Sequence, residues 1–355
     1  MKKVLILFGG VSSEHDVSLV SAKSVIENIP RDKYEVILLG ITKDGRWYLY
    51  DGGVDKLPND GWLEDESKLT PAVISPDRSI HGIAVSGSET KTVRVDVVFP
   101  VLHGKNGEDG AVQGLLQLSG IPFVGCDMLS SACCMDKAVT NTLADAAGIP
   151  QAKWLGVKEG DYEQNKDSII KKAAEYLGFP IFVKPANAGS SVGVSKAKDE
   201  AGLHEAIIKA FKEDSKLVLE EGVVGTEVEC AVLGNDDPVA SVIGEVVPCK
   251  EFYDYEAKYI DPSSELYIPA RISEEKSEQV RRAAVRAYKA LGCSGLARVD
   301  FFIRESDGEV LLNEPNTIPG FTSISMYPKL FAACGVGYGE LIDRLLTLAA
   351  EKWEK

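Results

Sequence analysis

Lys3 to Phe8 carries five consecutive apolar residues that stop at Gly9-Gly10; a polar turn then leads into Val17, Val20, Ser21, Ser24 and Val25 at helical spacing before Pro30. That order reads as strand, loop and helix. Two further strand-like runs, Tyr34 to Ile41 and Val93 to Leu102, make the first 125 or so residues an open α/β unit. Ligands of such units gather at the carboxyl ends of the strands, here Gly9 to Glu14 and His103 to Gly110.

Ser130 to Ala147 reads as one helix stopped by Gly148 and Pro150. A small α+β unit follows: helix Ser168 to Leu177, strand Pro180 to Lys184, a Gly-rich loop, helix Glu200 to Phe211, and strands Leu217 to Glu220 and Thr226 to Leu233. Val239 to Val247 is another strand. Pro248 to Pro269 is polar, aromatic and without period, long enough to be a functional loop. A helix over Ser273 to Leu291, a hairpin over Gly295 to Asn316 and a closing helix over Tyr338 to Trp353 complete the chain. At 355 residues it exceeds the span of one core, and the divisions expected are 1–125, 126–215 and 216–355.

Composition narrows the function. Fifty-four Asp and Glu against thirty-nine Lys and Arg leave a net charge of -15, which excludes a general grip on nucleic acid or anionic lipid, so any phosphate site must be a local basic pocket. Seven cysteines, odd in number and without zinc spacing, suit reduced thiols of a cytosolic protein. The N-terminal apolar run is too short for a signal peptide and no stretch approaches a membrane span, so a soluble, cytoplasmic protein is expected.

The richest segment for chemistry is RVDFFIRESDGEVLLNEPN, Arg298 to Asn316. Ser306-Asp307-Gly308 is a turn signal between two strand-like runs. A three-residue loop there makes pairing symmetric about position 307 and sets Asp300 opposite Glu314, with Arg298, Asp300, Glu314 and Asn316 on one face. Facing acids need a counter-charge, and an all-oxygen set suits a hard cation such as Mg²⁺ better than zinc. The plainer reading is a hairpin with a single Arg298–carboxylate pair.

Three other segments carry chemistry. Val183 to Val194 places Lys184 at a strand end before a loop of small residues, able to offer N–H groups, hydroxyls and an ammonium to phosphates, although such composition also builds ordinary turns. Glu220 and Glu227 flank the strands that follow, as nucleotide contacts or as surface acids. LHGKNGEDG, at a strand end before a helix, can bind a carboxylate or be a plain turn with capping acids. EFYDYEAKYI can close over a site and exclude water, or form a small satellite core. Lys137, in Met135-Asp136-Lys137, reads by itself as a solvated helix lysine.

In chain order, Gly9-Gly10 through Glu14 and Ser18, LHGKNGEDG, MDK, VKPANAGSSVGV, EEGVVGTEVE, FYDYEAKY, GLARVDFF and NEPNTIPGFTSIS resemble the blocks of the D-alanine–D-alanine ligases of the ATP-grasp superfamily, nearly end to end. The resemblance implies an α/β fold of three domains with ATP between the central and C-terminal sheets, Mg²⁺ as two ions with Mn²⁺ as a possible substitute, and a homodimer that uses D-alanine for peptidoglycan precursors. It implies phosphorylation of one D-alanine carboxylate by ATP, then attack by the amine of a second. Asp300, Glu314 and Asn316 match the metal ligands, Lys137 and Lys184 the lysines on the phosphates, Lys258 the loop lysine on the γ-phosphate, and Glu220 and Glu227 the adenine and ribose contacts, with Ser191 beside the nucleotide. Glu14 matches the carboxylate that binds the first ammonium, with Ser190 and Tyr259 as its partners. Arg298 and the Gly320 N–H match the donors to the tetrahedral oxygen, and Val17, His103, Ser325 and Met326 match positions around the substrates.

LHGKNGEDG and NTIPGFTS also resemble the D-alanine–D-serine ligases of the vancomycin-resistance group. Tyr253 and Tyr259 argue against D-lactate. Met326 stands where D-serine enzymes tend to carry a basic residue, and its apolar side chain suits a methyl group, so D-alanine is the second substrate expected. A catalytically silent ATP-binding module with the same fold is the reading from another class, opposed by the intact Arg298, Asp300, Glu314 and Asn316; a nicotinamide dehydrogenase lacks the full glycine fingerprint.

Overall fold

Three sheets organise the chain in the computed structural model, which describes residues 1–87, 90–247 and 265–353. The first holds seven strands: β1 (Lys2–Gly9), β2 (Tyr34–Ile41), β3 (Trp47–Tyr50), β4 (Leu69–Ile74), β5 (Gly82–Val85), β6 (Lys91–Arg94) and β7 (Val97–Val101), in the order β6-β5-β4-β3-β2-β1-β7. β1 lies parallel to β2 and β7, and the remaining pairs are antiparallel. From Val4 to Phe8, β1 is apolar because it is covered on both faces. Val4, Ile6 and Phe8 face α1 (His15–Asn28), while Leu5 and Leu7 pack with Val112 and Leu116 of α2 (Ala111–Ser119). The run expected as one strand from Val93 to Leu102 is two, β6 and β7. Asp96 breaks it by turning its carboxylate and N–H to the backbone of Lys3.

Ser130 to Ala147, expected as one helix, is also two: α3 (Met128–Met135) and α4 (Lys137–Ala146). Asp136 separates them, accepting from the N–H groups of Ala138 and Val139 as the N-cap of α4. The second sheet contains β8 (Trp154–Lys158), β9 (Ile181–Pro185), β10 (Ser195–Ala197) and β11 (Lys216–Glu221), in the order β10-β9-β11-β8, backed by α5 (Glu159–Leu177) and α6 (Glu200–Ala210). β11 is hydrogen-bonded between β9 and β8 and so belongs to this central sheet.

The third sheet is antiparallel: β12 (Gly225–Gly234), β13 (Val239–Val247), β14 (Glu265–Tyr267), β15 (Gly295–Arg304) and β16 (Val310–Asn316), in the order β14-β13-β12-β15-β16. α7 (Glu274–Ala290), capped by Ser273, covers one face of it. α8 (Met326–Ala333) and α9 (Tyr338–Trp353) pack against the core of β1 and α1, where Phe321, Tyr327, Ile342 and Leu345 join Phe8 and Leu19 in one buried cluster. Each fully buried side chain of this size stabilises the packing by roughly 1.5–3 kcal/mol. That shared core fixes residues 317–326 beside the N-terminal domain. No helix among the described residues is long and apolar enough to cross a membrane.

Candidate active site

Glu14 precedes α1 and is only 6% exposed. Its carboxylate sits between two glycines, one after β7 of the first sheet and one after β9 of the second. A Cβ on Gly104 would lie 2.5 Å from Glu14 Oε2, and one on Gly189 would lie 2.8 Å from the same atom, so a side chain at either position would have to displace that carboxylate. Ser190 Oγ donates to Glu14 Oε1 at 2.5 Å. The glycine loop of the central sheet thereby closes on the residue before α1, with Ser190 and Ser191 both in left-handed backbone, at φ +48 and +59. Asn187 anchors the base of that loop by donating its N–H and its Nδ2 to Asp214 Oδ2, each at 2.9 Å.

Two ammonium groups flank the loop. Lys184 on β9 lies 2.6 Å from Glu220 Oε2. Burial alone pulls its pKa down, but Glu220, with help from Glu314 and Glu227, outweighs that and leaves it above the ordinary lysine value. Lys137 opens α4, its N–H donating to Ala186 O and its Nζ to Ala188 O, both at 2.9 Å, and its Nζ stands 3.7 Å from Glu314 Oε2. The break at Asp136 is therefore what aims Lys137 across the cleft. In the third sheet, Glu227 lies in register with Phe302 of β15.

The hairpin pairs Arg298 with Asn316 and Asp300 with Glu314, as expected. Nearer the turn, however, Phe301 pairs with Leu312 and Ile303 with Val310, so the register slips by one residue just past Asp300. Arg304 N–H bonds Glu309 O, so four residues, Glu305 to Gly308, form the loop. A bulge at Asn313 absorbs the extra residue and restores the acid pairing. Arg298 grips Asp300 with two parallel bonds, at 2.8 and 2.7 Å, and its Nε lies 3.0 Å from Glu229 Oε2 on β12. Asn316 Nδ2 donates to Asp300 Oδ2 at 2.9 Å. Asp300, 2% exposed, lies beneath Arg298 and Asn316.

These groups surround one cleft of about 840 Å³ between the three sheets. Its wall includes Glu14, His103, Lys137, Lys184, Ser190, Ser191, Glu220, Glu227, Arg298, Glu314, Asn316, Gly320, Ser325 and Met326. Met326 is buried at the start of α8 against Gly244, and Ser325 Oγ is bonded to Thr322. Two of the expected residues are not in the wall: Asp300, held under it, and Val17, buried on α1. Lys258 and Tyr259, with Tyr253, lie outside the described residues.

Glu229, Glu108 and Lys329 also line the cleft, and none was singled out from the sequence. Alternation along β12 from Glu227 was the available signal for Glu229. Glu108 accepts from Gly104 N at 2.8 Å and from Ile318 N at 3.2 Å. Burial, and then the nearby Glu14, push its carboxyl well above the usual carboxylate range despite those two donors. Burial likewise lowers His103, outweighing the opposite pull of Glu14.

An acidic pocket that can take an ammonium, two lysines beside a glycine loop, an arginine and an oxygen-rich hairpin are groups that can serve phosphoryl transfer to a zwitterionic acid. Comparisons with known proteins agree. Residues 3–126 match the family model of the D-ala D-ala ligase N-terminus and residues 143–347 that of the D-ala D-ala ligase C-terminus. D-alanine–D-alanine ligases from Acetivibrio thermocellus and Caldicellulosiruptor bescii are 51% and 53% identical, over 99% of this chain and 96% and 95% of theirs. Among solved structures, the VanG D-Ala:D-Ser ligase from Enterococcus faecalis is similar with a TM-score of 0.90 and 45% identity, covering 98% of this chain and 99% of its own. The D-alanine-D-alanine ligase from Coxiella burnetii follows at a TM-score of 0.86 and 35% identity, covering 100% and 96%.

Proposed function

The chain belongs to the D-alanine–D-alanine ligase family of ATP-dependent ligases, and from that membership and the cleft we propose that it joins two molecules of D-alanine through an acyl phosphate. The observation that carries this reading is the convergence on one cleft of Glu14, Lys137, Lys184, Arg298 and Glu314, drawn from all three sheets. Carboxylate oxygen is a poor leaving group, so activation by ATP must precede amide formation.

Glu14, held by Ser190, takes the ammonium of the first D-alanine and points its carboxylate at the nucleotide. Lys137 and Lys184 hold phosphate oxygens, and Ser191, Glu220 and Glu227 hold the rest of ATP, with Lys258 and Tyr259 as contacts from the aromatic loop. The hairpin fits a hard divalent ion, because Glu314 faces the cleft and Asn316 gives its nitrogen to Asp300, leaving Oδ1 as the atom it can offer. Glu314 and Asn316 would hold Mg²⁺ from the cleft, as one or two ions, with Asp300, whose oxygens here are on Arg298, as the third ligand the family resemblance assigns and with Mn²⁺ able to replace the metal. Bound there, the metal supplies neutralisation of the phosphate charge. Arg298 and the Gly320 N–H then stabilise the oxygen that becomes negative when the second amine attacks the acyl carbon. His103, Ser325 and Met326 flank that second substrate.

We read three domains from the sheets, with β11 assigned to the centre so that the second boundary follows Glu221. A cytoplasmic homodimer serving peptidoglycan precursor synthesis is the setting this reading implies. A second reading, D-alanine–D-serine ligation, is favoured by the likeness to the VanG enzyme. Met326 favours the first, because a buried thioether against Gly244 is a much weaker partner for a hydroxyl than a basic side chain there would be. A pocket of this kind rejects an added hydroxyl by only about 10²-fold. With ATP, Mg²⁺ and equimolar D-alanine and D-serine at neutral pH, D-alanyl-D-alanine is expected as the main product by mass spectrometry. D-alanyl-D-serine as the main product would overturn the substrate assignment.

A further inference from the structure

Residues Ile318 to Phe321 run without regular secondary structure between β16 and α8, and Gly320 of this arm lines the cleft. Backbone groups buried outside helix or sheet need other partners. In this arm they come from side chains, and the two end residues are each held by both of their peptide groups.

At one end, Ile318 N–H donates to Glu108 Oε1 at 3.2 Å, and Ile318 C=O lies 3.0 Å from His103 Nδ1. At the other, Phe321 N–H donates to Ser21 Oγ at 3.4 Å, and Tyr338 Oη donates to Phe321 C=O. Ser21 Oγ also lies 3.2 Å from His103 Nε2, and Ser24 Oγ lies 3.1 Å from Tyr338 Oη. One proton arrangement satisfies the whole chain. Phe321 N–H gives to Ser21, Ser21 O–H gives to His103 Nε2, and His103 Nδ1–H gives to Ile318 C=O. That arrangement needs a neutral imidazole, the form that burial of His103 favours. Pro319 between the two ends stiffens the arm further by fixing its own φ.

We infer that Glu108, Ser21 and Tyr338 are positioning residues which, with His103 as the link, clamp the Ile318–Phe321 arm and set the direction in which Gly320 N–H meets the reacting oxygen. None of the three need touch substrate for this. The clamp spans α1, the loop after β7 and α9, so the orientation of the oxyanion donor depends on how the N-terminal domain seats against the third sheet. The inference rests on the ligase reading above.

The test uses Ser21→Ala and Tyr338→Phe, which delete single hydroxyls, and Glu108→Gln, which sets an amide against two backbone donors. Misdirecting a donor by about an ångström costs on the order of 10²-fold. Turnover is expected to fall by about that factor in Glu108→Gln and by roughly 10-fold or more in the other two, with KM for ATP within twofold. A phosphinate dipeptide analogue of the tetrahedral intermediate should bind more weakly by the same factor as kcat/KM falls, because both report the same lost donor. Should Glu108→Gln fail to fold, the two hydroxyl variants decide. Unchanged turnover in folded variants would overturn the clamp. So would lost turnover with undiminished phosphinate binding, or losses shared equally by ATP affinity. A wild-type protein that makes no dipeptide would instead overturn the ligase reading itself, and the clamp with it.

Discussion

Replacing Glu314 by Gln is expected to lower dipeptide synthesis by about 10²- to 10³-fold, the effect typical of removing one preorganised electrostatic group from a water-poor site. Glu314 stands 3.7 Å from Lys137 and helps to keep Lys184 protonated, so it sets the charge of the phosphate end of the cleft as well as offering oxygen to a metal. Its loss should leave the fold nearly untouched, within about 1 kcal/mol, because it also relieves repulsion from Asp300 across the hairpin and from Glu108. Asp300→Asn should slow turnover too, but at a higher cost to the fold. Asp300 is buried with both oxygens on Arg298, and breaking such a pair costs about 3–5 kcal/mol, here softened by the Glu229 contact. Phosphate release at saturating Mg²⁺, beside urea denaturation of both variants, separates these effects. Mg²⁺-dependent turnover at the wild-type rate in both would remove the hairpin from the mechanism.

Glu14→Gln is expected to lower kcat/KM for D-alanine between roughly 30- and several-thousand-fold, while KM for ATP stays within threefold. Truncating one member of a buried, hydrogen-bonded charge pair costs about 2–5 kcal/mol, and each 1.4 kcal/mol is tenfold. The carboxylate of Glu14 is enclosed by Gly104, Gly189 and Ser190, so little water can replace the lost ion pair with the substrate ammonium. The amide side chain keeps the volume, and the hydroxyl of Ser190 can still donate to its oxygen, which confines the change to charge. A variant whose D-alanine dependence matched the wild type would show that the ammonium binds elsewhere.

Much of this site was legible before any coordinates. β1 announced itself because both its faces are buried, and the Asp300–Glu314 pairing followed from period two and a turn signal. That pairing was right for an incomplete reason. The loop is one residue longer than the turn signal gives, and the bulge at Asn313 cancels the error; no periodicity shows a bulge, because the alternation resumes on either side of it. The junction at Asp136 was hidden in the same way, since helical spacing continues across Met135-Asp136-Lys137 and only the capping bonds reveal two helices. Glu108 shows a different limit. Its neighbours in LHGKNGEDG mark a turn, but its backbone partner Ile318 lies over two hundred residues away. Contacts of that range leave no local trace.

The central claim is that the cleft phosphorylates a carboxylate before it forms an amide. It is tested most directly with D-alanine labelled with ¹⁸O in both carboxylate oxygens, by following the label into the released phosphate. An acyl phosphate requires that one carboxylate oxygen leave with phosphorus, so each inorganic phosphate should carry one ¹⁸O and ADP none. Phosphate free of label, with the departed ¹⁸O found instead in AMP or in water, would contradict the account.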